Sequence, residues 1–224
     1  MDTRPQPPIE TVRKKMALKF LQYLREEPEA FYTIGAGPPK SKTEWRHQKE
    51  SLPDTEFYAC EPITELFQQL LTVYPGQVLN VGISQEPTLK LYPEDSKIGI
   101  NGRSSRHQIK SETALEPIEV PCMTLKEFDE HWGSPKSLVL WMDIEGSELD
   151  ALQSGRQLLL SRRAKVVNLE VRDSHPAIPE WVTASQIEEF MKKHGYTRML
   201  DYNNHKTHRD VIYIPEEESR YFPK

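Results

Sequence analysis

The run Leu138-Val139-Leu140-Trp141-Met142 is apolar at every position and ends abruptly at Asp143. It reads as the most apolar strand of the chain, and it sets the frame for the rest. Other short apolar runs are expected as strands at Phe31–Ile34, Thr55–Cys60, Val78–Ile83, Lys165–Val171, Thr197–Tyr202 and Val211–Ile214. Between them lie stretches of helical period: Glu10–Glu27, closed by Pro28; Glu65–Val73; a helix following Asp143, to about Leu152; and Ser185–Lys193, stopped by Gly195. Short strands alternating with helices predict an open α/β sheet with helices on both faces. Thr88–Tyr92 alternates as a surface ribbon would. Residues 93–117 are polar and without period, which suggests a binding loop, a lid or disorder.

At 224 residues the chain fits one sizeable domain. A formal charge of −5 argues against a general nucleic-acid binder, and the basic triplet Arg13, Lys14 and Lys15 is expected as a solvated helix face. Cys60 and Cys122 make no disulfide framework and lack metal-ligand spacing, so buried free thiols in a reducing compartment are expected. No run approaches the roughly 20 apolar residues of a membrane span, and the start of the chain leads into no signal-like segment. The expectation is a soluble cytoplasmic protein; nothing here speaks to oligomeric state.

In open α/β sheets ligands bind beyond the carboxyl ends of the strands, at the switch point. That places interest on Gly35-Ala36-Gly37, Glu61, Ile83-Ser84, Asp143 and the stretch Glu170–His175. The glycine turn fits neither phosphate pattern: Lys40-Ser41 comes too early for a phosphate-cradling loop, and lysine stands where a dinucleotide fingerprint needs its third glycine. Glu61 lies where an acid can accept hydrogen bonds from ribose hydroxyls, and equally where one can cap the helix that follows Pro62. With the glycine turn beside it, ribose binding is the better reading. Asp143, Glu145 and Glu148 bring three carboxylates within six residues. Helix-start electrostatics accounts for at least one of them. A Mg²⁺-type divalent cation would need histidine or further acids to converge, and no metal is expected.

Three segments then resemble one known family, the FkbM-type S-adenosylmethionine-dependent methyltransferases. They are VPCMTLKEF (120–128), LVLWMDIEGSELDALQSG (138–155) with its D-x-E-G-x-E core, and VVNLEV (166–171). YACEP (58–62), Gly195-Tyr196 and Arg209–Ile212 support the likeness, which covers about residues 30 to 214. The resemblance implies a class I methyltransferase fold, a Rossmann-like, mostly parallel seven-stranded sheet with an antiparallel last strand. It divides the chain into an N-terminal tail and helix (1–29), the methyltransferase-like domain (30–214) and a C-terminal tail (215–224).

It also implies S-adenosylmethionine as cofactor and transfer of its methyl group to a hydroxyl of a sugar or small natural product. On this reading Gly35, Ala36 and Gly37 lie under the methionine portion, Glu61 holds the ribose, and Gly82 and Ile83 approach the adenine. Asp143 sits by the methionine amine or the acceptor. His175, Asp143 and Asp173 are the candidates for removing the acceptor proton, with His107 in the polar loop behind them. Thr33 stands where the family commonly has an acid. It motivates the alternative of a cofactor-binding module without turnover that acts as a protein partner. A nucleotide-dependent oxidoreductase ranks last, for want of the third glycine.

Overall fold

The computed structural model describes residues 20–38, 42–96, 99–105, 116–173, 181–202 and 208–222. In chain order the first part gives β1 (Ala30–Ile34), α1 (Lys42–Ser51), β2 (Glu56–Cys60), α2 (Thr64–Leu70), β3 (Gln77–Leu79) and β4 (Gly82–Ile83). Then come β5 (Thr88–Ser96), β6 (Gly99–Ser105), β7 (Ile118–Met123), α3 (Leu125–His131) and β8 (Leu138–Met142). The last part gives α4 (Glu148–Ser154), α5 (Arg156–Leu160), β9 (Ala164–Val171), α6 (Ala184–Lys193), β10 (Tyr196–Tyr202) and β11 (Arg209–Pro215), closed by a 3₁₀ turn over Glu216–Tyr221.

Among the described residues the main sheet has seven strands in the order β10-β11-β9-β8-β1-β2-β3. All are parallel except β11, which runs antiparallel to both β9 and β10. Every residue of β1 and β8 is buried, as expected for parallel strands covered on both faces. Their side chains alternate between two cores. Tyr32, Ile34, Leu140 and Met142 join Phe128, Leu152, Ile187 and Met191 from α3, α4 and α6. Phe31, Val139 and Trp141 join Trp45, Tyr74, Leu21 and Phe222 on the opposite face. Leu21 and Phe222, which the sequence places in the tails, are thus buried in the second core.

Two helices begin with reciprocal caps, Thr124 with Glu127 on α3 and Thr183 with Gln186 on α6. Between the first core and the helices runs a polar strut. Arg163 donates two 2.8 Å hydrogen bonds to the Asp129 carboxylate, which also accepts the Tyr32 hydroxyl at 3.0 Å.

Three expectations need correction. The run Val78–Ile83 is not one strand: β3 pairs with β2, whereas β4 leaves to pair with β7. Asn80 makes the break, its side-chain amide donating to the carbonyls of Glu61 and Pro62 at 2.9 and 3.1 Å. The polar stretch after Tyr92 is not simply a loop. Its first part completes β5 and continues in β6, an antiparallel pair in a second, four-stranded sheet of order β4-β7-β5-β6. Polar residues on both sides of a ladder leave no alternation to read. The helix expected directly after Asp143 begins only at Glu148, as α4, because Glu145 (φ +50°) and Gly146 (φ +97°) take left-handed backbone. The expected helix over Glu10–Glu27 lies mostly outside the described residues, as do His107 and His175.

Candidate active site

Register builds the site. Ile34 pairs with both Cys60 and Met142, so β1, β2 and β8 end at one level and Gly35, Glu61 and Asp143 emerge side by side. Met142 pairs with Leu169, and Glu170 with Asp210 of β11, which continues the row as Asp143, Glu170, Asp210. The chain turns one way from β1 to β2 and the other way from β8 to β9. The crevice between β1 and β8 is therefore the sheet's switch point.

A cleft of about 590 Å³, counted out to its open mouth, occupies this crevice. Of the residues expected at a cofactor site, Gly35, Gly37, Glu61, Gly82, Ile83 and Asp143 all line it. Ala36 does not: its side chain turns into the second core. Thr33 also faces that core, where its hydroxyl lies 2.8 Å from that of Tyr74.

The two glycines of the turn serve different ends. The amides of Gly35 and Ala36 both donate to the Cys60 carbonyl, at 3.1 and 3.2 Å. At Gly35 (φ +77°) a Cβ would overlap the Asp143 carbonyl oxygen, so glycine there lets the turn pack against the end of β8. At Gly37 (φ +64°) a Cβ would meet nothing within 4 Å. Gly37→Ala should therefore fold normally and lose only the left-handed backbone penalty of about 1–2 kcal/mol in urea unfolding. A loss well above that would place a hidden contact at this position.

Glu61 is 3% exposed, and its carboxylate ties two turns together. One oxygen accepts from the Gly37 amide and the other from the Ile63 amide, each at 2.9 Å. Burial pushes its pKa up and the two amides pull against it. Glu61 thus joins the glycine turn to the start of the α2 region, and each carboxylate oxygen retains a second lone pair.

The three acids after β8 have separate fates. Glu148 folds back under its own loop, accepting from the amides of Ile144 and Gly146 at 3.0 Å each. Burial lifts its pKa to about 7 against those bonds. Glu145 pairs with Arg172 at 2.9 Å, and the same guanidinium reaches Glu170 at 3.2 Å. Arg172 also lies 5.1 Å from the centre of the Trp181 ring, which would collide with any Cβ on Gly146. Asp143 alone opens to solvent in the cleft. Partial desolvation by the cleft walls, then repulsion from Glu170, Glu145, Asp210 and Glu148, pushes its pKa up.

Oxygens of Asp143, Glu145 and Glu170 lie within 4.8 Å of one another, the spacing of a cation site. Arg172 supplies counter-charge to two of the three. Arg172 lies in the stretch Glu170–His175 that the sequence picked out but gave no role there, and His208, whose Nε2 is 3.9 Å from Glu170, was not singled out. Nor were Leu89, Leu91 and Val120, which line the cleft from the second sheet. Their alternation was visible, but the strand pairing that aims them here was not. Asp173 lies apart from the cleft's lining, bonded at 2.8 and 3.0 Å to Arg209.

A parallel sheet with its last strand reversed, and a cleft at the β1–β8 switch, is the class I methyltransferase fold. The methyltransferase FkbM domain matches residues 34–198, and the chain belongs to that family. No curated protein sequence matches it. Among solved structures, precorrin-6y C5,15-methyltransferase from Geobacter metallireducens superposes with a TM-score of 0.49 at 12% identity, covering 96% of this chain and 94% of that one. The METTL16 methyltransferase domain gives a TM-score of 0.49 at 10% identity, covering 95% and 70%. An S-adenosylmethionine-dependent methyltransferase from Aquifex aeolicus gives 0.46 at 12%, covering 90% and 88%. Among the described residues no helix is long and apolar enough to cross a membrane.

Proposed function

We propose that this protein transfers a methyl group from S-adenosylmethionine to a hydroxyl oxygen of a small molecule, a sugar or natural product. The observation that carries this reading is the convergence of Gly35, Gly37, Glu61, Gly82, Ile83 and Asp143 on one switch-point cleft, in a chain of methyltransferase family. The residues suit the cofactor. Gly37 leaves open space above its Cα, Glu61 offers ribose hydroxyls its remaining lone pairs, and Asp143 presents an accessible carboxyl to an amine or an acceptor hydroxyl.

When bound, S-adenosylmethionine supplies an electrophilic methyl group. The chain's part is to hold donor and acceptor in line, worth on the order of 7–11 kcal/mol of the barrier, and to remove the acceptor's proton. Asp143, whose carboxyl lines the cleft, is our candidate for that second task. His175 remains the alternative base.

Glu61 provides the test. A charge-assisted hydrogen bond to ribose is worth about 1.5–3 kcal/mol. Glu61→Gln should therefore weaken S-adenosylmethionine roughly 10- to 100-fold in titration calorimetry. Glu61→Ala should also lower stability, because the Gly37 and Ile63 amides lose their acceptor. Unchanged affinity in Glu61→Gln would remove the residue from the site. Binding without methylation of any hydroxyl acceptor in a broad screen would favour the partner-protein alternative.

A further inference from the structure

Arg172 directly follows β9 and is fastened from several sides. Its carbonyl accepts the Ala184 amide at 2.6 Å, and it pairs with Thr183, the cap of α6. Its guanidinium reaches Glu145 at 2.9 Å and Glu170 at 3.2 Å, both through Nη2, while the Trp181 ring covers it at 5.1 Å. Trp181 is buried in turn, so close to Gly146 that a Cβ there would collide with it. The loop gripped in this way includes Glu145, whose left-handed backbone (φ +50°) is one that side chains other than glycine rarely adopt.

The charge around this guanidinium is lopsided. Oxygens of Asp143, Glu145 and Glu170 lie within 4.8 Å of one another, and Glu148 and Asp210 add their repulsion. Facing these acids are Arg172 and, at 3.9 Å from Glu170, His208. Carboxylates drawn this close and partly out of water need a cation beside them. A hard divalent ion held through carboxylate oxygens can supply that charge. Here a guanidinium, charged at every working pH, supplies it from within the chain.

We propose that Arg172 is a positioning residue: its guanidinium is the resident cation of this cluster, standing where an ion would otherwise be held, and it keeps Asp143 facing the cleft by fixing Glu145 and Glu170 beside it. It acts through these neighbours, since the cleft is lined by Asp143 and Glu145 rather than by Arg172 itself. The bearing on methyl transfer rests on Asp143 serving as the base; the clamp does not. A tethered guanidinium differs from a bound ion in that it cannot dissociate. Stacking on Trp181 also fixes its plane, which favours one arrangement of the acids around it.

The test removes the guanidinium from the full chain and offers an ion in its place. Terbium(III) is the probe, a hard oxygen-seeking cation that luminesces when a nearby tryptophan is excited. An ion in the guanidinium's position would lie beside Trp181. Arg172→Met should bind terbium at least about tenfold more tightly than wild type, because a vacated cluster of acids attracts a cation that the guanidinium had repelled. Arg172→Lys, which keeps the positive charge, should stay within about threefold of wild type. Adding Asp143→Asn to Arg172→Met should reverse the gain. Urea unfolding with and without terbium follows whether each variant folds.

If Arg172→Met folds and binds terbium no better than wild type, or if Arg172→Lys gains as much, the guanidinium is not the cluster's cation. If the gain survives Asp143→Asn, Arg172 does not position Asp143. Where Arg172→Met fails to fold alone, terbium should restore a cooperative unfolding transition, since an ion that binds only the folded chain stabilises it. A chain that stays unfolded with terbium present overturns the assignment. None of these outcomes involves the cofactor, whose reading stands or falls separately with the Glu61→Gln titration.

Discussion

Asp129→Ala should lower the stability of this protein by about 3–5 kcal/mol, the cost of breaking a largely buried ion pair from one side. The Asp129 carboxylate is the meeting point of three elements. It accepts two hydrogen bonds from Arg163 and one from the Tyr32 hydroxyl in the middle of β1. Removing it leaves a guanidinium whose side chain is only 21% exposed and a fully buried phenol without an acceptor. Arg163 keeps its Nε bond to the Pro135 carbonyl. Replacing both partners by apolar residues, Asp129→Leu with Arg163→Met, should recover much of the loss, because no buried charge is then stranded. Urea unfolding of the single and double variants decides it. A single variant within about 1 kcal/mol of wild type would show that water reaches the strut and that the pair behaves as a surface bridge.

The second large effect is a fall in stability as pH rises from about 5 to 8. Glu148 holds its proton up to about pH 7 in the folded chain, but only to about 4.5 when unfolded. Between those values the unfolded state binds fewer protons, so each step up in pH favours unfolding. At 1.36 kcal/mol per pKa unit, Glu148 alone accounts for a loss of about 3 kcal/mol, complete once pH passes its folded value. Glu170, lifted to about 8 by burial and by repulsion from Glu145 and Asp210 against the pull of Arg172, extends the loss in the same direction. Glu148→Gln should flatten the profile, since the amide oxygen still accepts from the loop and no proton is at stake. Unfolding curves taken across this range check both points. Stability that stays level or rises from pH 5 to 8 would mean that both carboxylates are ionised throughout.

The acids after β8 also show what a sequence conceals. D-x-E-G-x-E announces a strand end, and β8 stops at Met142, directly before it. Yet its three carboxylates look alike as letters. Only the folded backbone makes one a buried acceptor for its own loop, one an ion-pair partner of Arg172, and one an open group in the cleft. The strands were legible because Phe31–Ile34 and Leu138–Met142 carry the signature of two-sided burial in their composition. The positions of the turn at Gly35 and the acid at Glu61 were legible because each directly follows an apolar run that reads as a parallel strand. Leu89, Leu91 and Val120 were not, because their meaning depends on a pairing between segments far apart in the chain. Nor was the split of Val78–Ile83, which depends on one asparagine side chain reaching back to the carbonyls of residues 61 and 62.

The placement of β1 beside β8 has a consequence for how the chain is assembled. The Glu29 amide meets the Ser137 hydroxyl across 108 residues, and the ladder that follows it is the middle of the sheet. Closing a loop of that length is entropically costly and slow compared with forming local pairs. The β5–β7 ribbon joins much nearer segments and can form first, while the central seam must wait until residue 142 has left the ribosome. The cleft lies on that seam, so it does not exist until this loop has closed. A molecule that binds there comes too late to guide folding and acts by slowing the seam's reopening, lengthening the protein's lifetime without hastening its birth.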